Sequence, residues 1–190
     1  MNTKSKWIIF LLAITATLFC IIEFHAIPAK QASMDRYKER QTDALTHDIS
    51  SIQDYKKHYL TDASNTCNLM NSLPMSNISK TFEIDETALT VNYQEYAKKI
   101  GIEKVQRNLI YNSFASMASI DALAKIEYTF YDKAYVFSRE ELDGICSEHF
   151  NQESLPKLLV QNTWEKTVRQ ELKNPDFAHK FSAFADSYNN

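Results

Sequence analysis

Apolar residues crowd into one run near the start of the chain and are then spread with a changing period. Trp7 to Ile22 is sixteen residues without a charge, about 24 Å of helix at roughly 1.5 Å per residue, short of the roughly 30 Å hydrocarbon core of a bilayer. Extension through Glu23, Phe24, His25, Ala26 and Ile27 brings it to the full thickness, with Glu23 and His25 near enough to the end to reach headgroups and Trp7 in the opposite interface. The run therefore reads as a transmembrane anchor over 7–27 behind a short tail, 1–6. A cleaved signal peptide is the alternative. A cut after Ala29 or Ala26 places Ile27 or Phe24 where a small residue is wanted, and Leu18 and Phe19 before Cys20 do not suit a lipid anchor, so a retained anchor is expected.

Beyond the run the period becomes helical. Met34, Tyr37, Leu45, Ile49, Ile52, Tyr55 and Tyr59 recur at three- and four-residue steps, which predicts a stalk helix from Lys30 to about Tyr59. Cys67, Met70 and Leu73 continue a second helix up to Leu73-Pro74, where proline disfavours helix in the residue before it. Thr81–Ile84 and Leu89–Tyr93 then alternate about a turn at Asp85–Ala88, a hairpin with one buried face. Glu103 to Leu123 carries the stripe Val105, Leu109, Ile110, Phe114, Met117 and Ala118. Alternation returns in Lys125–Tyr131 and in Ala134–Phe137 across Asp132-Lys133. Ser138-Arg139-Glu140-Glu141 has the form of a capping box opening a helix to about Phe150. Leu155, Leu158, Leu159, Trp164, Val168 and Leu172 lead to Asn174-Pro175, and Phe177, Phe181, Phe184 and Tyr188 mark a last helix. That aromatic stripe reads as core, with a docking face as the alternative.

The pattern predicts an α+β fold. An antiparallel sheet of about four strands packs against one long helix, flanked by an N-terminal stalk helix and C-terminal helices, behind one transmembrane helix. The expected divisions are a cytoplasmic tail at 1–6, the anchor at 7–27, the stalk at 28–51, the α+β domain at 52–151 and a helical extension at 152–190.

Charge narrows the possible partners. Past Lys30 the chain has 18 Lys and Arg against 23 Asp and Glu, an acidic balance that speaks against nucleic acid. Gly101 and Gly144 are the only glycines, which excludes a glycine-rich phosphate loop. Lys4 and Lys6 favour a cytoplasmic tail, although Lys30, Arg36, Lys38 and Arg40 outnumber Asp35 and Glu39 on the far side. The domain is expected outside, because the run serves as an export signal whether or not it is cleaved.

Tyr55 to Tyr59, Asn68-Leu69-Met70-Asn71-Ser72-Leu73-Pro74, Phe82-Glu83-Ile84, Leu89-Thr90-Val91-Asn92-Tyr93 and Tyr135-Val136-Phe137-Ser138-Arg139-Glu140-Glu141-Leu142 together resemble the bacterial domain of unknown function 4825 (DUF4825), over about Ile52 to Asn151. The resemblance implies a domain held outside the membrane of Gram-positive bacteria, on short anchored proteins or behind membrane-embedded peptidase-type sensors. It brings no activity and nominates no site. The chain departs from the family pattern in its short Asp85–Ala88 connection and in Tyr59-Leu60-Thr61-Asp62, which lacks a glycine, and the helices after Asn151 lie outside the likeness.

Candidate chemistry is sparse. Cys146 and His149, three apart on one helix, have the residue types of a nucleophile pair or half a metal site; a buried thiol beside a surface histidine is the simpler reading. Glu140, Glu141, Asp143 and Glu148 offer paired carboxylates, or merely helix-start charge and a solvated face. Cys67 and Cys146 could pair if exported, or be two small buried thiols. His47 and His58 sit where an external histidine could sense pH. No catalytic, cofactor-binding or metal residues and no cofactor are assigned. The expected function is a non-enzymatic, membrane-held extracytoplasmic module for binding or sensing at the cell envelope, with an envelope protein or peptide as a candidate partner. The alternatives are an envelope hydrolase using Cys146 and His149 or the carboxylates, and a structural subunit of a membrane complex.

Overall fold

In a computed structural model of the protein, residues 2–57 and 59–187 are described; His58 and Tyr188 lie outside them. The described chain divides into two compact units, 1–40 and 41–190. The first is a single helix, Thr3–Arg40, long and apolar enough to cross a membrane. Its apolar side chains are uncovered, with Trp7, Phe10, Leu11, Leu12, Leu18 and Phe19 all more than half exposed. The hydroxyls of Thr15 and Thr17 donate to the carbonyls of Leu11 and Ala13, four residues back, so neither needs water. A π-helical turn occupies Ile22–Ala26, with the Ile27 N–H donating to the Ile22 carbonyl. Pro28 accounts for it: proline has no N–H, and its ring meets the carbonyl four residues earlier, so the helix widens just before it.

The helix expected to reach Tyr59 ends at Arg40. Residues 41–48 fold as turns, and Ile49–Tyr55 forms a 3-10 helix. Asp48 is the reason the α-helix does not resume, because its carboxylate accepts from the Ser50 N–H and hydroxyl, a local bond that competes with the helical one. Ala44, His47, Ile49 and Ile52 are then fully buried.

The four strands are β1 (Lys80–Ile84), β2 (Ala88–Tyr93), β3 (Lys125–Thr129) and β4 (Ala134–Ser138), side by side in that order. The two hairpins, β1–β2 and β3–β4, are antiparallel, but β2 and β3 run parallel, with Leu89 opposite Ile126 and Val91 opposite Tyr128. The sheet is thus mixed, not purely antiparallel as expected. The central helix Ile102–Ser119 supplies the physical reason, because it carries the chain back along the sheet and β3 restarts in the direction of β2. Gly101 leads into that helix at φ 105°, a left-handed conformation that side chains rarely adopt.

Fourteen of the eighteen central-helix residues are buried, so the helix is enclosed instead of presenting one stripe. Ser113 faces β3 and donates to the Tyr128 hydroxyl. Asn108 and Asn112 face the segment around Ala44 and Pro74. Tyr111 and Phe114 meet the C-terminal residues Trp164 and Phe181 edge-on. That C-terminal region consists of short pieces, from Leu155–Leu158 to the 3-10 turns Pro175–Lys180 and Ser182–Ser187. Phe177, Phe181 and Phe184 are at most 1 % exposed; they belong to the core and offer no docking face.

Arg139, the first residue of the helix after β4, closes the end of the central helix. Its guanidinium donates to the carbonyls of Leu123 (2.9 Å), Met117 and Ile120 (both 2.7 Å), gathering the last turn of the helix and the turn that follows it at an end where a cation is favoured. Arg139→Met is expected to lower the unfolding free energy by about 3 kcal/mol, since bonds to a charged donor contribute roughly 1.5–3 kcal/mol each and water restores part of the loss. Arg139→Lys should recover about half, because a single ammonium cannot reach all three carbonyls. Urea titration of the full chain in detergent, followed by circular dichroism, measures both, and an unchanged midpoint in Arg139→Met would contradict the assignment.

Candidate functional site

Cys146 and His149 share a helix end but not a task. The Cys146 side chain is buried and its Sγ donates to the Gln152 carbonyl at 3.7 Å. Burial, helped by the nearby Asp143 carboxylate, pushes the thiol up to about 11, so it is protonated at neutral pH and a poor nucleophile. His149 turns the other way. Its Nε2 stands 3.2 Å from Glu171 Oε2, and its ring stacks on Phe177 with centroids 5.5 Å apart.

The carboxylates are likewise separated. Glu140, Asp143 and Glu148 are exposed. Glu141 gives its N–H to the Ser138 hydroxyl at 3.2 Å, the first half of the expected capping box, but its carboxylate accepts from the Ser182 N–H at 2.7 Å instead of reaching back. It ties the C-terminal segment to the helix start. Cys67 and Cys146 are both free thiols. Among the described residues no three His, Cys, Asp or Glu side chains converge as a metal site would require.

The most developed polar arrangement surrounds His47. The imidazole is fully buried, with Nε2 2.7 Å from the Ser72 carbonyl and Nδ1 2.7 Å from the Tyr111 hydroxyl. A carbonyl only accepts, so Nε2 carries the proton and Nδ1 accepts from Tyr111. Arg169 donates to the His47 carbonyl, pairs with Glu165 at 2.9 Å and stands beside the Tyr111 hydroxyl. Burial first, and the Arg169 charge after it, lower the imidazole pKa from 6.5 to about 4; the Ser72 carbonyl and the Asp48 carboxylate oppose them. Sequence reading singled out His47 but none of these partners. They come from positions 25, 64 and 122 residues away, and no local spacing reports such a meeting.

The folded-state pKa of His47 lies below its unfolded value, so the unfolded chain takes the proton first as pH falls. The stability contributed by the neutral ring is complete above about pH 6.5, declines between 6.5 and about 4, and amounts to about 3 kcal/mol. Thermal unfolding of the full chain across this window should show a steeper decline for the native protein than for His47→Gln, whose amide can still donate to Ser72 but takes up no proton. Equal slopes would remove His47 as the source.

Residues 52–140 match the family model described as a domain of unknown function, DUF4825. No match was found among the curated proteins or among the solved structures. The matched segment holds all four strands, the central helix and Arg139, and it stops short of Asn151, where the sequence resemblance was expected to end; His47 precedes it, and Cys146 and His149 follow it. Residues 52–140 of this chain are a DUF4825 domain, following an N-terminal helix long and apolar enough to span a membrane.

Proposed function

We propose that the chain is a non-enzymatic binding module, tethered by its N-terminal helix to the outer face of a bacterial cell membrane, where it engages an envelope protein or peptide. The observation that carries this reading is the uninterrupted helix Thr3–Arg40 with its uncovered apolar half and internally bonded threonines. A residue set of this kind is stable in hydrocarbon and costly in water. Lys4 and Lys6 before it support a cytoplasmic amino terminus, and the family likeness supports an external domain. The protonated, buried Cys146 and the Glu171-bound His149 support binding over hydrolysis.

Alkaline phosphatase fused after Asn190 is expected to be active, and β-galactosidase at the same point inactive, with the fusion held in the membrane fraction at its uncleaved mass. The reverse pattern would place the domain inside. In parallel, Cys146→Ala and His149→Ala should each leave any envelope phenotype of the gene intact. Loss of that phenotype at unchanged abundance and melting temperature would favour the hydrolase.

A further inference from the structure

The module reading leaves its binding surface open, and an assignment of that surface rests on it. We propose that the outer edge of β1 receives an extended peptide segment of another protein as a fifth strand, with an acidic side chain of that segment set against Lys80.

Among the described residues neither edge strand is paired on its outer side, but their surroundings differ. Along β4 lies the C-terminal turn Ser182–Ser187, with Phe184 packed edge-on against Tyr135 and Phe137. Among the described residues no strand pairs with the outer side of β1. The phase of its hydrogen bonds can be read from both ends: the Gln94 N–H donates to the Ser79 carbonyl and the Asp85 N–H to the Ala88 carbonyl, each at 2.9 Å. In an antiparallel pair the bonded positions alternate, so Thr81 and Glu83 also bond to β2, while Lys80, Phe82 and Ile84 aim N–H and C=O groups outward. These are the donors and acceptors that strand addition uses.

The same three residues direct their side chains to the core face, opposite Tyr93, Val91 and Leu89. Their β2 partners are at most 2 % exposed, whereas Phe82 and Ile84 remain only partly covered. A further strand would complete their burial. Lys80 is the third member of this row. Its ammonium lies 5.8 Å above the Tyr93 ring and donates to the Met75 carbonyl at 3.3 Å, and burial lowers its pKa to about 8. Nearby Lys99 and Lys104 face Glu95 at 2.6 Å and Asp43 at 4.0 Å; among the described residues no carboxylate pairs with Lys80. A half-buried cation without a counter-charge is complementary to an acidic side chain arriving on the added strand.

Charge also decides between a foreign segment and a second copy. In an antiparallel self-pair centred on Phe82, Lys80 would stand across from Ile84 of the second copy, and Glu83, one residue along, would lie on the opposite face. Self-pairing leaves Lys80 without its carboxylate. A segment that alternates apolar residues and places Asp or Glu in register with Lys80 satisfies all three positions.

The test pans the full chain in phospholipid nanodiscs against a phage-displayed library of random nine-residue peptides, then measures synthetic copies of the enriched sequences by fluorescence anisotropy. Enriched peptides are expected to alternate apolar residues with one acidic position, and to protect the Lys80, Phe82 and Ile84 amides from hydrogen exchange. Lys80→Gln should weaken binding at least tenfold. Ile84→Pro, which deletes an outward N–H and no β2 bond, should do the same in a chain that remains folded by circular dichroism. Lys80→Glu should regain binding when the acidic position of the peptide is changed to lysine. Absence of enrichment, equal binding by Lys80→Gln and Ile84→Pro, or a peptide-free dimer that protects β1 would each overturn the proposal. Such a failure, with the fusion reporters still showing an external and membrane-held domain, removes the edge site and leaves the tethered-module reading standing.

Discussion

The enclosure of the central helix is the constraint from which the rest of the fold follows. A helix with one wet face can leave polar side chains to solvent, but Ile102–Ser119 has the sheet on one side, the segment from Ala44 to Pro74 on another and the C-terminal aromatics on a third. Most of the polar side chains on it accordingly take a protein partner, although Ser119 Oγ is buried without one among the described residues. Asn108 meets the Ala44 N–H, Asn112 the Pro74 carbonyl, Ser113 the Tyr128 hydroxyl and Ser116 the Met70 sulfur. Those bonds fix where the N-terminal segment can lie, so residues 41–75 are positioned by the polar residues of the helix as much as by their own apolar ones.

The same enclosure explains why the chain after β4 is needed. Tyr111 and Phe114 would be open to water without Trp164 and Phe181, and the Met117 carbonyl near the helix end would lose the guanidinium donor that Arg139 supplies. Ser138 and Glu141 continue that function outward, the first capping its own helix and the second holding the Ser182 N–H. The run Ser138-Arg139-Glu140-Glu141, which reads in sequence as a helix start, is therefore a junction joining the central helix, β4 and the C-terminal turns. The family match ends inside it, so the C-terminal cover of this chain is built onto the last part of the matched domain.

What could be read in the sequence was what depends on near neighbours. Alternation located all four strands, the 3.6 period located the central helix, and the Ser138 cap followed from its own four residues. What could not be read depends on separated ones. The parallel pairing of β2 with β3 is settled by the path of the helix between them, which no strand pattern encodes. The helical period from Lys30 to Tyr59 was real, but past Arg40 the burial of Ala44, His47 and Ile49 against the central helix outweighs it. Lys80 was partly legible: one step before Thr81 in a period-two pattern, it falls on the face of Phe82 and Ile84. Its lack of a counter-charge was not.

The interior of this domain holds its ionisable groups in their neutral forms. Burial raises Tyr93, Tyr111, Tyr128 and Cys146 and lowers His47, so at neutral pH it presents neither a thiolate nor an imidazolium. His47, Tyr111, Tyr128 and Cys146 are committed to hydrogen bonds within the fold, and desolvation is the main cause of each of these shifts. Unpaired backbone groups and incompletely covered side chains remain at the periphery. At the outer edge of β1 both occur on the same three residues.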